Sequence, residues 1–140
     1  MALVGGDEDR KILAAICHGL PWDAHFVDTC RDASEVANRL KAPIILCDRD
    51  LPGMEWRDAV QALARSPHGA CVILISKVVD DYLWNEVAHK GGHDVLSKPL
   101  PKDDVVRAVK LAWSYWNSTK KADAEEGNAR KSHPFEQHIG

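Results

Sequence analysis

Asp48, Ser76 and Lys98 are the residues of this chain whose types and settings suit chemistry. Asp48 closes the apolar run Pro43-Ile44-Ile45-Leu46-Cys47 and precedes Arg49-Asp50-Leu51-Pro52-Gly53. Ser76 follows Ala70-Cys71-Val72-Ile73-Leu74-Ile75, and Lys98 stands between Asp94-Val95-Leu96-Ser97 and Pro99. A carboxylate can attack an electrophile or hold a metal, a hydroxyl can donate one hydrogen bond, and an ammonium is a compact positive charge. That combination suits the capture of an anionic group, which needs positioning and charge neutralisation above all. Any one of these junctions alone reads as turn chemistry. Three at the carboxyl ends of buried strands, where open α/β sheets keep their sites, predict a single shared pocket.

The elements that would position these residues are legible in order. Ala2-Leu3-Val4 reads as a short strand ending at Gly5-Gly6. Asp7-Glu8-Asp9 then opens a helix, acids suiting the positive end of its dipole, with Ile12, Leu13, Ile16 and Leu20 at helical spacing before Pro21. A second strand spans Ala24 to Asp28, and Asp32 caps a helix carrying Val36, Ala37 and Leu40. After the strand to Asp48 a helix runs from Trp56 to Ala64, with Val60 and Leu63 inward. Beyond the strand to Ile75, Val79, Leu83 and Val87 recur at helical spacing until Gly91-Gly92 stops the turn. A last strand, Asp94-Val95-Leu96, precedes a long helix after Pro101 with Val105, Val109, Ala112 and Trp116 on one stripe. Five strands alternating with five helices predict an α/β fold, a parallel sheet covered on both faces with right-handed crossovers. Past Asn117 the chain turns polar, so residues 1–117 read as one domain and 118–140 as a disordered tail.

Composition narrows the function. A chain of 140 residues with 45% hydrophobic residues supports one well-packed domain. A formal charge of −3 gives no reason to expect nucleic acid or an anionic membrane as partner. No apolar stretch is long enough to span a bilayer, and the N-terminus lacks the pattern of a secretory leader. Cys17, Cys30, Cys47 and Cys71 are scattered, without CxxC spacing, which suits free thiols in a reducing cytoplasm. Cys47 beside Asp48 reads as packing rather than as a nucleophile. The seven histidines form no close His/Cys pattern for zinc, and neither GxGxxG nor GxxxxGK[ST] is present to bind a nucleotide.

From Ala2 to about Trp116 the chain resembles the receiver domains of two-component response regulators, which have a flavodoxin-like fold. Asp48 with Leu51-Pro52-Gly53-Met54 looks like the phosphoacceptor and its loop, Ser76 like the hydroxyl residue ending the fourth strand, and Lys98-Pro99 like the Lys-Pro after the fifth. Gly91-Gly92-His93-Asp94 stands where the family often has Gly-Ala-Asp-Asp. The resemblance implies a phosphoryl group taken from a histidine kinase or phosphotransfer protein onto Asp48 as an acyl phosphate. Lys98 would contact one phosphoryl oxygen and Ser76 another. Mg²⁺ would be held partly by Asp48 and the Arg49 backbone carbonyl, and the Lys98–Pro99 peptide would be cis. Such a domain signals through an unknown downstream protein and is not an enzyme beyond handling its own phosphoryl group.

Three departures from that pattern matter. The paired metal-binding acids of the family fall at Gly5 and Gly6, so Mg²⁺ binding is expected to be weak. Asp7 and Asp50 stand near enough in sequence to replace them; alternatively Asp7 caps the first helix and Asp50 faces solvent. Lys77 occupies a position where the family prefers a small residue, and either shields the pocket or adds a second positive charge. Val95 replaces the aromatic that changes rotamer in many members, so a hydroxyl-to-aromatic switch is ruled out. The second reading is therefore a pseudo-receiver that binds partners without phosphorylation. Trp84 and Tyr115 do not fit the buried stripes and mark a face on the fourth helix, fifth strand and fifth helix for a homodimer or another partner.

Overall fold

The computed structural model describes residues 2–4, 6–51 and 53–132, with side chains over 6–51 and 53–119. The chain alternates β1 (Ala2–Val4), α1 (Asp7–His18), β2 (His25–Val27), α2 (Cys30–Leu40), β3 (Ile44–Asp48), α3 (Trp56–Ala64), β4 (Cys71–Ser76), α4 (Asp81–His89), β5 (Asp94–Ser97) and α5 (Lys102–Ser132). The strands form one five-stranded sheet in the order β2-β1-β3-β4-β5, and every pairing is parallel. The order reverses between β1 and β3, which leaves a crevice beyond their carboxyl ends, and Asp48 is the last residue of β3.

Every residue of β3 and β4 is buried, so neither sheet face is solvated there. Alternation along the pleat sends successive side chains to opposite faces. Ile45, Cys47, Val72 and Leu74 meet α2, α3 and α4, whereas Ile44, Leu46, Ile73 and Ile75 meet α1 and α5. Strand ends are in register: Asp48 lies opposite Ile75 and Ser76 opposite Ser97. The pleat thus fixes which face each site residue is built on.

Several boundaries differ from the sequence expectation for local reasons. Thr29, not Asp32, caps α2: its hydroxyl accepts the Asp32 N–H at 3.1 Å, so Asp32 lies within the first turn. Asp80 caps α4 by accepting the Leu83 N–H at 2.8 Å, which leaves Val79 ahead of the helix and exposed. Gly91 ends α4 with φ of +90°, and Gly92 passes so close to Val87 that a Cβ there would sit 2.4 Å from Val87 Cγ1. The helix α5 continues to Ser132, so the polar stretch beyond Asn117, expected to be disordered, is helical up to that residue. Phe135 and the rest of 133–140 lie outside the described residues.

Candidate functional site

The site is assembled by three strand-end loops whose backbones are hydrogen-bonded to one another. The Arg49 N–H donates to the Ile75 carbonyl at 2.9 Å, tying the end of β3 to β4. The Lys98 N–H donates to the Ser76 carbonyl at 3.0 Å, tying β4 to the segment after β5. The Lys98–Pro99 peptide is cis.

On that frame Asp48 is 5% exposed and both its carboxylate oxygens are engaged. Oδ1 accepts the Asp50 backbone N–H at 2.9 Å, and Oδ2 accepts the Lys98 ammonium at 2.7 Å. Lys98 Nζ also lies 2.8 Å from Asp9 Oδ2. Asp9, Lys98 and Asp48 thus form an ion triad with little exposure of any member. Burial pulls the Lys98 pKa down, but the hydrogen bonds and charges of Asp48 and Asp9 outweigh it and leave the ammonium above the ordinary lysine value.

Asp9 was not among the residues that motif and spacing singled out. The signal was present, because Asp9 extends the inward stripe of Leu13 and Ile16 by one turn toward the sheet's carboxyl edge, and both of those residues are buried. An acid on a buried stripe requires a partner, which here is Lys98 from the segment after β5.

Ser76 engages other partners. It is 1% exposed and belongs by alternation to the face of Val72 and Leu74, whereas Asp48 belongs to that of Ile44 and Leu46. Its hydroxyl donates to the Val78 carbonyl at 2.8 Å, and its oxygen lies 3.3 Å from the Val78 N–H and 3.4 Å from Arg49 Nη1. Of the three expected side chains, Asp48 and Lys98 are bonded to each other, and Ser76 stands at the neighbouring strand end with its hydroxyl on Val78.

Asp7 is exposed and, with Gly6, Glu8, Asp9, Lys77 and Lys98, lines a cleft of about 490 Å³ beside the triad. Asp50 is exposed and meets Asp48 through its backbone N–H. Val95 is buried against the side of the sheet that carries α2, α3 and α4. Gly5 lies outside the described residues, as does Pro52. Burial, reinforced by Cys30 and Asp48, pushes the Cys47 thiol up to about 12, which removes it as a nucleophile near neutral pH. Burial also raises Cys17, Cys30 and Cys71, and all of these cysteines are free.

The profile of the response regulator receiver domain matches residues 7–110, and the chain belongs to that family. No curated protein sequence matches it. Among solved structures, the signal receiver domain of an HD domain-containing protein from Pseudomonas fluorescens Pf-5 superposes with a TM-score of 0.78 at 19% identity, covering 86% of this chain and 90% of its own. The receiver domain of a putative LuxO repressor protein from Vibrio parahaemolyticus gives 0.75 at 26% identity, covering 86% and 94%. The beryllofluoride-activated NtrC4 receiver domain, solved as a dimer, gives 0.74 at 19% identity, covering 82% and 96%. The fold is therefore the flavodoxin-like receiver fold, an α/β signalling domain of two-component systems.

Receiver domains typically take Mg²⁺ in an acidic pocket. Magnesium demands near-octahedral oxygen ligation, usually including one or two carboxylates. Asp48 and Asp9 are both turned onto an ammonium, Asp7 and Asp50 are exposed, and Gly6 offers no side-chain oxygen. Among the described residues no group of three or more His, Cys, Asp or Glu side chains is placed to hold a metal. As arranged, the residues do not fit a divalent ion; they fit the ammonium that already bridges them.

Proposed function

We propose that this receiver accepts a phosphoryl group on Asp48 from a histidine kinase or phosphotransfer protein and signals by contacts with a downstream protein. The observation that carries the reading is the 2.7 Å pair between Asp48 and Lys98 at the crevice where the strand order reverses. An Asp48 oxygen attacks phosphorus as the bond to the donor imidazole breaks. The leaving imidazole takes up a proton, and Asp48 becomes an acyl phosphate. Lys98 follows the new charge to one phosphoryl oxygen, and Ser76 turns its hydroxyl from Val78 to another. Lys77, exposed on the cleft beside Lys98, adds a second positive charge to the entrance. This is self-modification and not turnover of a substrate.

Incubation of the full chain with acetyl phosphate, followed by intact mass, tests the reading. A gain of one phosphate by the wild type and none by Asp48→Asn is expected. An unchanged wild-type mass, or an equal gain by the variant, would refute it.

A second reading has specific support in the glycine at position 6 and the misfit of the carboxylates to a metal. It is a pseudo-receiver that binds partners irrespective of phosphorylation. The partner face on either reading is α4, β5 and α5, where Tyr82, Trp84 and Tyr115 are exposed. A homodimer through that face predicts sedimentation that depends on concentration in the wild type and is monomeric in Trp84→Ala; a monomer in both would remove the dimer. The receiver unit spans residues 1–117, with the helical continuation outside the site. No helix among the described residues is long and apolar enough to cross a membrane, and free buried cysteines suit a cytoplasmic location.

A further inference from the structure

We propose that Arg49 is a positioning residue: it holds the Ser76 hydroxyl in its resting orientation and transmits that serine's release to α4 through Trp56 and Arg57. The inference rests on the reading of Asp48 as phosphoacceptor for its trigger, but not for the linkage itself.

A serine hydroxyl has one proton to donate. Here it goes to the Val78 carbonyl at 2.8 Å, while Arg49 Nη1 lies 3.4 Å from the same oxygen. Ser76 cannot donate to a phosphoryl oxygen on Asp48 without giving up Val78, and rotating the oxygen withdraws it from Arg49. The two orientations exclude each other, so the serine is a two-state element.

Arg49 carries that change onward because its other contact is an indole. Its guanidinium carbon lies over the Trp56 ring, 5.9 Å from the ring centre. Arg57 stands over the same ring at 4.6 Å. Trp56 is 5% exposed and packed in the core, so the ring is a fixed platform shared by two like charges. Arg57 in turn reaches α4, with Nε 3.5 Å from Glu86 and Nη2 3.5 Å from the Tyr82 hydroxyl, and is tethered at 2.5 Å to Glu55. A shift of Arg49 beside the ring changes the charge that Arg57 meets there, and with it the balance of Arg57 between the ring and α4. This route needs no aromatic on β5, where the chain has Val95. It ends on α4 beside exposed Tyr82, on the face proposed for partners.

The test uses the full chain, amide hydrogen exchange over Tyr82–His89, and intact mass for phosphoryl occupancy after acetyl phosphate. In the wild type, modification should change α4 exchange by about fivefold or more, the low end of ordinary coupling between sites. Arg57→Ala should take up phosphate to the same extent yet lose that response, whatever its baseline. A full response in Arg57→Ala at equal occupancy would overturn the linkage. If the wild type takes up no phosphate, the phosphoacceptor reading fails separately, and the linkage is decided by Ser76→Ala, Arg57→Ala and the double variant. Non-additive effects on α4 exchange would support it, and strictly additive or absent effects would overturn it.

Discussion

Asp9 and Asp48 share one ammonium: Lys98 Nζ lies 2.8 Å from the first and 2.7 Å from the second. One acid comes from the first turn of α1 and the other from the end of β3, so the lysine staples two elements that the sheet alone does not hold together.

Removing the lysine should therefore expose a repulsion. Lys98→Met leaves two carboxylates facing each other with little solvent, and should lower stability by about 3 kcal/mol, the low end for a broken buried pair. Asp9→Asn keeps Lys98 on Asp48 and should cost about 1–2 kcal/mol. Urea unfolding of the two variants checks the order; equal, negligible losses would mean that the triad adds nothing to stability.

The triad also predicts alkaline sensitivity. The Lys98 pKa is raised in the folded protein, so the folded state holds that proton more tightly than the unfolded chain does. Its stabilisation is full below the ordinary lysine pKa and is lost as pH rises through the raised value. Stability measured from neutral to strongly alkaline pH should fall more steeply in the wild type than in Lys98→Met. Parallel curves would contradict the assignment.

Much of the fold is legible in the sequence. Runs such as Cys71–Ser76 are buried along their whole length because both sheet faces are covered, and that is visible as uninterrupted branched residues. The Gly91-Gly92 stop was readable because glycine is required there by conformation and by Val87. What spacing could not supply was side-chain direction. Ser76 and Asp48 end neighbouring strands, yet the pleat sets them on opposite faces, and only register decides that. Asp9 was hidden for a related reason: three consecutive acids all suit a helix N-terminus, and only the phase of the stripe shows which one turns inward. The continuation of α5 escaped because a stretch of polar residues carries no apolar period to detect.

Gly92 offers a sharp check of the packing at the end of α4. A Cβ there would sit 2.4 Å from Val87 Cγ1 and 3.0 Å from the Val87 carbonyl, so Gly92→Ala should destabilise by about 1–3 kcal/mol. At Gly19 a Cβ meets nothing within 4 Å. Gly19→Ala should be neutral or stabilising by up to about 1 kcal/mol. Thermal unfolding of the pair would reverse this picture if Gly19→Ala were the weaker protein.

The cysteines should report the integrity of the core. With the Cys47 thiol pushed up to about 12 and fully buried, a thiol reagent at mildly alkaline pH should label it only as the protein unfolds. Rapid labelling of Cys47 in the native protein, read by peptide mass, would show that the strand beneath Asp48 is not closed.

The most direct test of the account locates the phosphoryl group chemically. Borohydride reduces an acyl phosphate to the alcohol, so an aspartyl phosphate becomes homoserine and can be read by peptide mapping. After acetyl phosphate treatment of the full chain, homoserine at position 48 and nowhere else is the predicted result. An unreduced Asp48, or homoserine at Asp50 or Asp9 instead, would contradict the account.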